Sequence, residues 1–481
     1  MAHTNQKQAV DVDLPLAWTV VDMLDATGGK LVCGQPEDQF AGVAIDSRNI
    51  GVDQAFLAIK GQTHDGHVFV DEVVKKGVKG LIVNERYCQR IDSESFKKMV
   101  VDCISVVDTT KALGNLAAFN RQRTGIGVVA ITGSNGKTST RRMVTGILAQ
   151  KFKTLAPEGN FNNEIGLPLT LLRLTAQHEW AALELGMNHF GEIDYLGAIC
   201  TPDIGVITNV GPAHLEGVGS LEGVLKAKSE LLGRIKEDGT AVLNADDDML
   251  KRLAKEAPVA TLMFGENPGA DIRACDVQET EKGSLFKMVL PAGDIMVALN
   301  TPGRFMVQNA LAAAAVGHLL GLSLTEIKAG LESFNPIPGR MGILQTLNGI
   351  FVIDDTYNAN PGSMQAAVKA LKGMGRNGRT IMVLGDMLEL GPKANKWHRK
   401  IGAFCAEVGI DRLYITGRHA EAVACGATEA GLAGENVKTG TKDELEIMLA
   451  KNLVPGDWVL VKGSRGMEME SIVARLTSAG N

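Results

Sequence analysis

The stretch Val128-Val-Ala-Ile-Thr-Gly-Ser-Asn-Gly-Lys-Thr-Ser-Thr140 decides the fold. Its four apolar residues read as a buried strand. A small glycine-rich turn follows, and a helical stretch runs from about Ser139 to Gln150. Strand, glycine loop, Lys-Thr and helix is the order that seats a nucleoside triphosphate, because backbone N–H groups of the loop and helix N-terminus face the phosphates. The Lys137 ammonium reaches the outer phosphates and the Thr138 hydroxyl can ligate Mg²⁺. Gly133 and Gly136 let the backbone approach an anion with no Cβ in the way. Residues Gly133, Ser134, Asn135, Gly136, Lys137, Thr138 and Ser139 are thus the candidate phosphate cradle. The common G-x-x-x-x-G-K-[ST] pattern wants a glycine where this chain has Ile131. The shorter loop argues against an ordinary P-loop kinase or motor.

Outward from this stretch, short strands and helices alternate on both sides. Examples are the apolar runs 54–60 and 80–84 before it, 180–185, 204–208 and 240–244 after it, and 349–354, 380–385, 411–416 and 457–461 in the last third. Alternation of this kind predicts parallel sheets with helices on their faces. Asn335-Pro-Ile-Pro-Gly339 is a Pro/Gly hinge. The expected organisation is an α/β protein of three domains over 1–110, 111–336 and 337–481, with residues 1 to about 10 as a loose tail.

A length of 481 residues, 45% hydrophobic and 22% charged, suits an ordinary globular protein with ample core in each domain. A net charge of −6 gives no global attraction for nucleic acid or an acidic membrane, so an anionic substrate must be held by local groups. Aromatic residues are only 5%, too few for base-stacking platforms. The seven scattered cysteines form no C-x-x-C and read as reduced thiols of a cytosolic protein. Met1 to Leu14 is polar and lacks the apolar stretch of a secretion signal, and no run of about 18 apolar residues occurs, so neither export nor a membrane span is expected.

Ligands of parallel sheets sit at the carboxyl ends of strands, and several polar residues occupy such places. Glu184 ends an apolar strand, where an acid is costly unless paired, and reads as a metal ligand or a cap. His214 closes Thr208-Asn-Val-Gly-Pro-Ala-His214, as a ligand, a proton-transfer group or a structural imidazole. Lys226 and Lys228 lie on the helix expected over Leu221 to Leu232, where composition alone makes them surface lysines. Asn160, Asn162 and Asn163 form an amide-rich loop that is either a turn or a polar substrate contact. Asp354-Asp-Thr-Tyr-Asn-Ala-Asn-Pro361 carries the same duality, and Arg340, just past the hinge, could swing onto a terminal phosphate.

Together these pieces resemble the Mur ligases, the ATP-dependent amide-forming enzymes of peptidoglycan synthesis, over about residues 40 to 470. The resemblance rests on Thr132-Gly-Ser-Asn-Gly-Lys-Thr138, Gly159-Asn-Phe-Asn-Asn163, Glu184-Leu-Gly-Met-Asn188 and Asn209-Val-Gly-Pro-Ala-His-Leu-Glu216. Asp46-Ser-Arg48, Leu384-Gly-Asp-Met-Leu-Glu-Leu-Gly391 and Lys462-Gly-Ser-Arg-Gly466 add to it. It implies a small N-terminal α/β domain for a UDP-linked substrate, a central ATPase domain and a Rossmann-like C-terminal domain. Within the family, the Asp354–Pro361, Leu384–Gly391 and Lys462–Gly466 stretches point to addition of D-alanyl-D-alanine to UDP-N-acetylmuramoyl-tripeptide through an acyl phosphate.

The resemblance also implies roles. Asp46, Ser47 and Arg48 would bind the UDP end. Lys137, Thr138 and Glu184 would hold ATP phosphates and one Mg²⁺, while His214 and a carbamylated Lys228 would hold a second. Asn309 would contact adenine, Asp355 ribose and Arg340 the γ-phosphate. Tyr357, Asn358, Lys462, Ser464 and Arg465 would face the substrates, as would the asparagine loop. A cytoplasmic monomer is expected, with no nucleic-acid partner and no membrane insertion. The rival expectations are another amide ligase of the superfamily, adding the third peptide residue or glutamates to folate, and a nucleotide switch that makes no amide.

Overall fold

In a computed structural model, which describes residues 15–61, 64–89, 101–157, 159–280, 283–375 and 378–478, the phosphate-loop strand is Gly127–Thr132. The tail expected over residues 1 to about 10 lies outside the described residues. Val128 to Ile131 are fully buried, which is why this strand reads as an unbroken apolar run. Chain contacts divide the protein into two units. One comprises 1–128, 152–183 and 198–201, the other 129–151, 184–197 and 202–481.

In the second unit, Ile204–Ile207 pairs in parallel with Val129 to Thr132, and the parallel strands Thr240–Asn244, Ala260–Gly265 and Ile272–Thr280 extend the sheet outward. Two antiparallel strands, Gly283–Leu290 and Gly293–Leu299, complete that side. These two were not anticipated. Gly283–Leu290 nevertheless alternates buried and half-buried residues, the period-two pattern of a strand with one wet face. The helix Lys137–Leu148 starts two residues before the expected point, because Gly136 takes a left-handed conformation and opens the first turn. It packs on the helices Arg304–Leu319 and Leu324–Glu332. The backbones come so close that a Cβ at Gly146 would lie 2.8 Å from the Gly330 carbonyl oxygen.

The same unit contains a six-stranded sheet in the order Gly342–Gln345, Phe351–Asp355, Trp458–Lys462, Thr380–Leu384, Arg412–Ile415, Val437–Thr439. Only its first pair is antiparallel. Buried apolar clusters lie against both faces, as the alternation of strand and helix requires.

The first unit holds a five-stranded sheet in the order Lys30–Cys33, Asp102–Val106, Gly80–Asn84, Gln54–Leu57, Gly42–Ala44, with only the Lys30–Cys33 edge antiparallel. The helix Thr109–Thr124 follows. Its start is capped by the Asp108 carboxylate and its end by left-handed Gly125.

Candidate active site

Gly133 (φ +151°) and Gly136 (φ +82°) shape the loop after the buried strand. A Cβ at Gly133 would collide with Thr208 Oγ1, and one at Gly136 with Asn309 Oδ1, so glycine is required by space as well as by φ. The loop is pinned by the segment that follows the neighbouring strand. Ser134 N–H donates to the Asn209 carbonyl (3.0 Å), Asn135 N–H to Asn209 Oδ1 (3.0 Å), and Thr208 Oγ1 to the Asn135 carbonyl (2.6 Å). Ser134 Oγ exchanges hydrogen bonds with the Gly211 backbone. Asn309, expected at adenine, thus lies buried against the loop's last glycine.

The Lys137 ammonium curls over this loop and donates to the Gly133 carbonyl (2.8 Å). Burial lowers its pKa, Glu184 and Glu389 pull it back up, and Arg340 lowers it further. One helical residue on, Thr138 Oγ1 donates to Glu184 Oε2 at 2.8 Å. Arg141 Nε stands 4.0 Å from the same oxygen, and all three side chains are buried. Glu184 therefore sits where its charge is compensated, bonded to a hydroxyl of the candidate phosphate cradle.

His214 adopts a left-handed backbone (φ +53°), and its Nδ1 lies 2.7 Å from Glu389 Oε2. Glu389 is itself left-handed (φ +61°), and the hydrogen bond from His214 holds its carboxyl below the ordinary range. Lys228, on the helix Leu221–Ser229, is 1% exposed. Desolvation drives its pKa well below that of a free lysine, and the nearby Lys137 charge drives it lower still. Among the described residues no carboxylate pairs with it. Lys226 differs, since its ammonium lies 5.8 Å from the centre of the Phe190 ring.

Just before the C-terminal sheet, the Arg340 guanidinium stacks 4.0 Å from the centre of the Tyr357 ring and is close enough to Lys137 to depress it. Buried Lys462 Nζ donates to Asp355 Oδ2 (2.5 Å) and to the Asn358 carbonyl (2.9 Å), so these three form one hydrogen-bonded group. Burial pushes the Asp355 carboxyl up and Lys462 draws it back. Ser464 is buried, receives the Leu388 N–H (2.8 Å) and donates to the Ala359 carbonyl (3.2 Å). Arg465 pairs with Glu470 at the surface. Asn360 Nδ2 donates to Asn135 Oδ1 (2.8 Å), which brings the Asp354–Pro361 stretch onto the phosphate loop.

The first unit carries the remaining candidates. Asp46 and Arg48 form a bidentate pair (2.9 and 2.8 Å) that holds the Asp46 carboxyl at about 2. Ser47 is buried and its carbonyl receives Lys76 Nζ. Asn163 Oδ1 receives the Gly166 N–H (2.9 Å), so this asparagine acts at the entry to the short helix Gly166–Leu171, while Asn160 and Asn162 bond to each other at 3.1 Å.

The sequence reading missed Glu389, Asn209, Asn360 and Arg141 as site residues. Asn209, Asn360 and Glu389 lie inside stretches already singled out. Nothing in those stretches alone says which residue meets His214 or the glycine loop.

Known proteins match this chain in sequence and in fold. Residues 39–121 match the description "Mur ligase family, catalytic domain", 131–317 "Mur ligase middle domain", and 339–465 "Mur ligase, glutamate ligase domain". The UDP-N-acetylmuramoyl-tripeptide--D-alanyl-D-alanine ligase of Escherichia coli K12 is 38% identical over 444 residues, 91% of this chain and 94% of its own. The chain belongs to the Mur ligase family. A crystal structure of MurF from Acinetobacter baumannii superposes on it with a TM-score of 0.88 at 35% identity, covering 97% of this chain and all of the other. The MurF ligase of Thermotoga maritima in complex with ADP does so with a TM-score of 0.81 at 27% identity, over 91% of this chain and 97% of the other.

Proposed function

We propose that this Mur ligase joins D-alanyl-D-alanine to UDP-N-acetylmuramoyl-tripeptide at the expense of ATP, the activity named for its Escherichia coli relative. The observation that carries the reading is the meeting, in one unit, of the Gly133–Thr138 loop with Glu184, His214, Lys228 and Arg340. The tripeptide carboxylate attacks the γ-phosphorus of ATP, and ADP leaves. The D-alanyl-D-alanine amine then attacks the acyl phosphate carbonyl, and phosphate leaves with the amide formed.

In this reading the loop amides and Lys137 hold the phosphates, Arg340 meets the γ-phosphate, and Asn309 and Asp355 serve the nucleoside. Asp46, Ser47 and Arg48 serve the UDP end. Tyr357, Asn358, Lys462, Ser464 and Arg465, with the asparagine loop, serve the growing peptide. The three functional domains are 1–110, 111–336 and 337–481.

Mg²⁺ suits the residues present. Among the described residues no three carboxylates, imidazoles or thiols converge. This cation prefers one or two protein ligands completed by phosphate oxygens and water. Thr138 and Glu184 would hold one ion, His214 and Lys228 the other. Bound there, Mg²⁺ neutralises charge between two anions. Lys228 supports the second site if it is carbamylated. Burial favours loss of the ammonium proton; the neutral nitrogen attacks CO₂, a C–N bond forms as one C=O π pair moves onto oxygen, a second proton leaves the nitrogen, and a misplaced cation becomes an anionic oxygen ligand. Seven cysteines with no disulfide among the described residues favour a reducing cytoplasm as its compartment.

The test is phosphate release from ATP and Mg²⁺ with UDP-N-acetylmuramoyl-tripeptide, with and without D-alanyl-D-alanine, followed by mass spectrometry. Release that requires both substrates, with a product heavier by the dipeptide minus water, is expected. Release indifferent to the dipeptide would overturn the acceptor.

A further inference from the structure

We infer that Glu389 is a positioning residue for His214: its carboxylate accepts a hydrogen bond from the Nδ1–H of the imidazole and so turns Nε2 toward a divalent cation. The inference rests on the reading of His214 as a metal ligand.

An ionised carboxylate can only accept, so at 2.7 Å the proton between the two groups belongs to His214 Nδ1. That fixes the tautomer and leaves the Nε2 lone pair for a ligand. Imidazoles that bind metals are commonly held in this way by a second group, and loss of that group typically costs about 10- to 100-fold in metal affinity.

The contact joins residues 175 positions apart, and the loop that delivers Glu389 is anchored residue by residue. Asp386 receives the Arg418 and His419 N–H groups (2.7 and 3.0 Å). Met387 N–H donates to His398 Nε2 (2.9 Å), and Leu388 N–H to Ser464 Oγ (2.8 Å). Glu389 comes next, and its own carbonyl receives the Glu216 N–H at 3.2 Å. Backbone and side chain of Glu389 thus both dock beside His214.

Both partners hold left-handed backbones that non-glycine residues rarely adopt. Such conformations persist where the surroundings over-determine them, and they cluster at functional sites. A solvated ion pair kept only for stability would require neither, since Glu389 is 54% exposed and such pairs contribute little. Glu389 also lies within electrostatic reach of Lys137, which places it beside the phosphate cradle.

The experiment uses the full chain in bicarbonate buffer with ADP, and Mn²⁺ as the probe. Mn²⁺ binding is followed by electron paramagnetic resonance, and the His214 ring nitrogens by ¹⁵N NMR. The variants are E389A, E389Q, E389G and H214A. The wild type is expected to carry its proton on Nδ1. E389A and E389G should move His214 toward the Nε2–H form and weaken one Mn²⁺ site about tenfold. E389Q, whose amide oxygen still accepts from Nδ1, should stay within about threefold of wild type. E389G suits φ +61° and separates loss of the carboxylate from loss of the loop conformation. A tautomer that does not move in E389A and E389G overturns the inference, whatever the Mn²⁺ affinity does. If H214A weakens Mn²⁺ binding and the Glu389 variants do not, the inference fails alone. If H214A itself leaves Mn²⁺ binding unchanged, the metal reading fails and the inference with it.

Discussion

Lys137 and Lys228 are two lysines of one site with opposite surroundings. Burial depresses both. The charge of Lys137 is answered by the Gly133 carbonyl and by the pull of Glu184 and Glu389, whereas Lys228 meets the repulsion of Lys137 and, among the described residues, no carboxylate. A buried cation without an anion is costly. The difference teaches that the first lysine is built to stay charged beside phosphates and the second to give its charge up.

The largest expected effect follows from the first half of that contrast. Lys137→Ala removes the cation from the phosphate cradle and leaves the loop, which Thr208 and Asn209 hold, in place. Steady-state kinetics should show kcat falling about 10³-fold, the magnitude of losing one preorganised group aimed at developing charge. A change confined to the KM for ATP would reduce Lys137 to uniform binding and would break the comparison.

Lys228→Met tests the other half. Activity should fall about 100-fold, and stability should respond to pH differently from wild type. In CO₂-free buffer the unfolded chain keeps a proton on Lys228 up to the ordinary lysine range, while the folded chain releases it well below. Between those two values the unfolded state binds more protons, so folding stability rises with pH by at most about 1.4 kcal/mol per unit from this group. Urea melts between pH 7 and 10 should show that contribution as the wild-type minus variant difference. Bicarbonate should stabilise the wild type alone, by binding the folded state. Equal slopes for the two proteins would mean that Lys228 has its own counter-charge.

These two lysines also mark what a sequence discloses. Lys137 was legible because strand, glycines and helix are contiguous, and the chemistry of the loop is a local property of the backbone. The parallel sheets were legible for the same reason, as apolar runs between helical stretches. Lys228 was not, because its meaning lies in burial at the bottom of a helix that reads as an ordinary solvated face. Only the family resemblance singled it out. Glu389 was missed altogether: its partner is 175 residues away and its neighbours look like a family signature. The antiparallel pair Gly283–Leu290 and Gly293–Leu299 escaped because its alternation breaks the strand–helix rhythm around it.

A smaller effect is expected at Gly136. Alanine there needs φ +82° and collides with Asn309 Oδ1, so the loop must shift. The left-handed conformation alone costs about 1 kcal/mol for a residue with a Cβ, and the KM for ATP should rise about tenfold. In an N309A background the collision is gone but the strain remains, so G136A should cost less there, relative to N309A alone, than it does in the wild type. No cost at all in that background would show that space alone, and not φ, requires the glycine.

The smallest effect separates buried charges from exposed ones. Arg48 is 82% exposed, and its pair with Asp46 stands in water. Water and salt screen such a pair, and its contribution to stability is slight. Arg48→Ala should therefore leave Tm unchanged, in contrast to Lys228→Met. If Arg48 meets the UDP end, the KM for UDP-N-acetylmuramoyl-tripeptide should rise a few-fold at low ionic strength and less at high, with the KM for ATP unmoved. A rise in both constants, or a fall in Tm, would show that Arg48 supports the fold of its loop. Charge would then matter at the surface of this ligase as it does at Lys137.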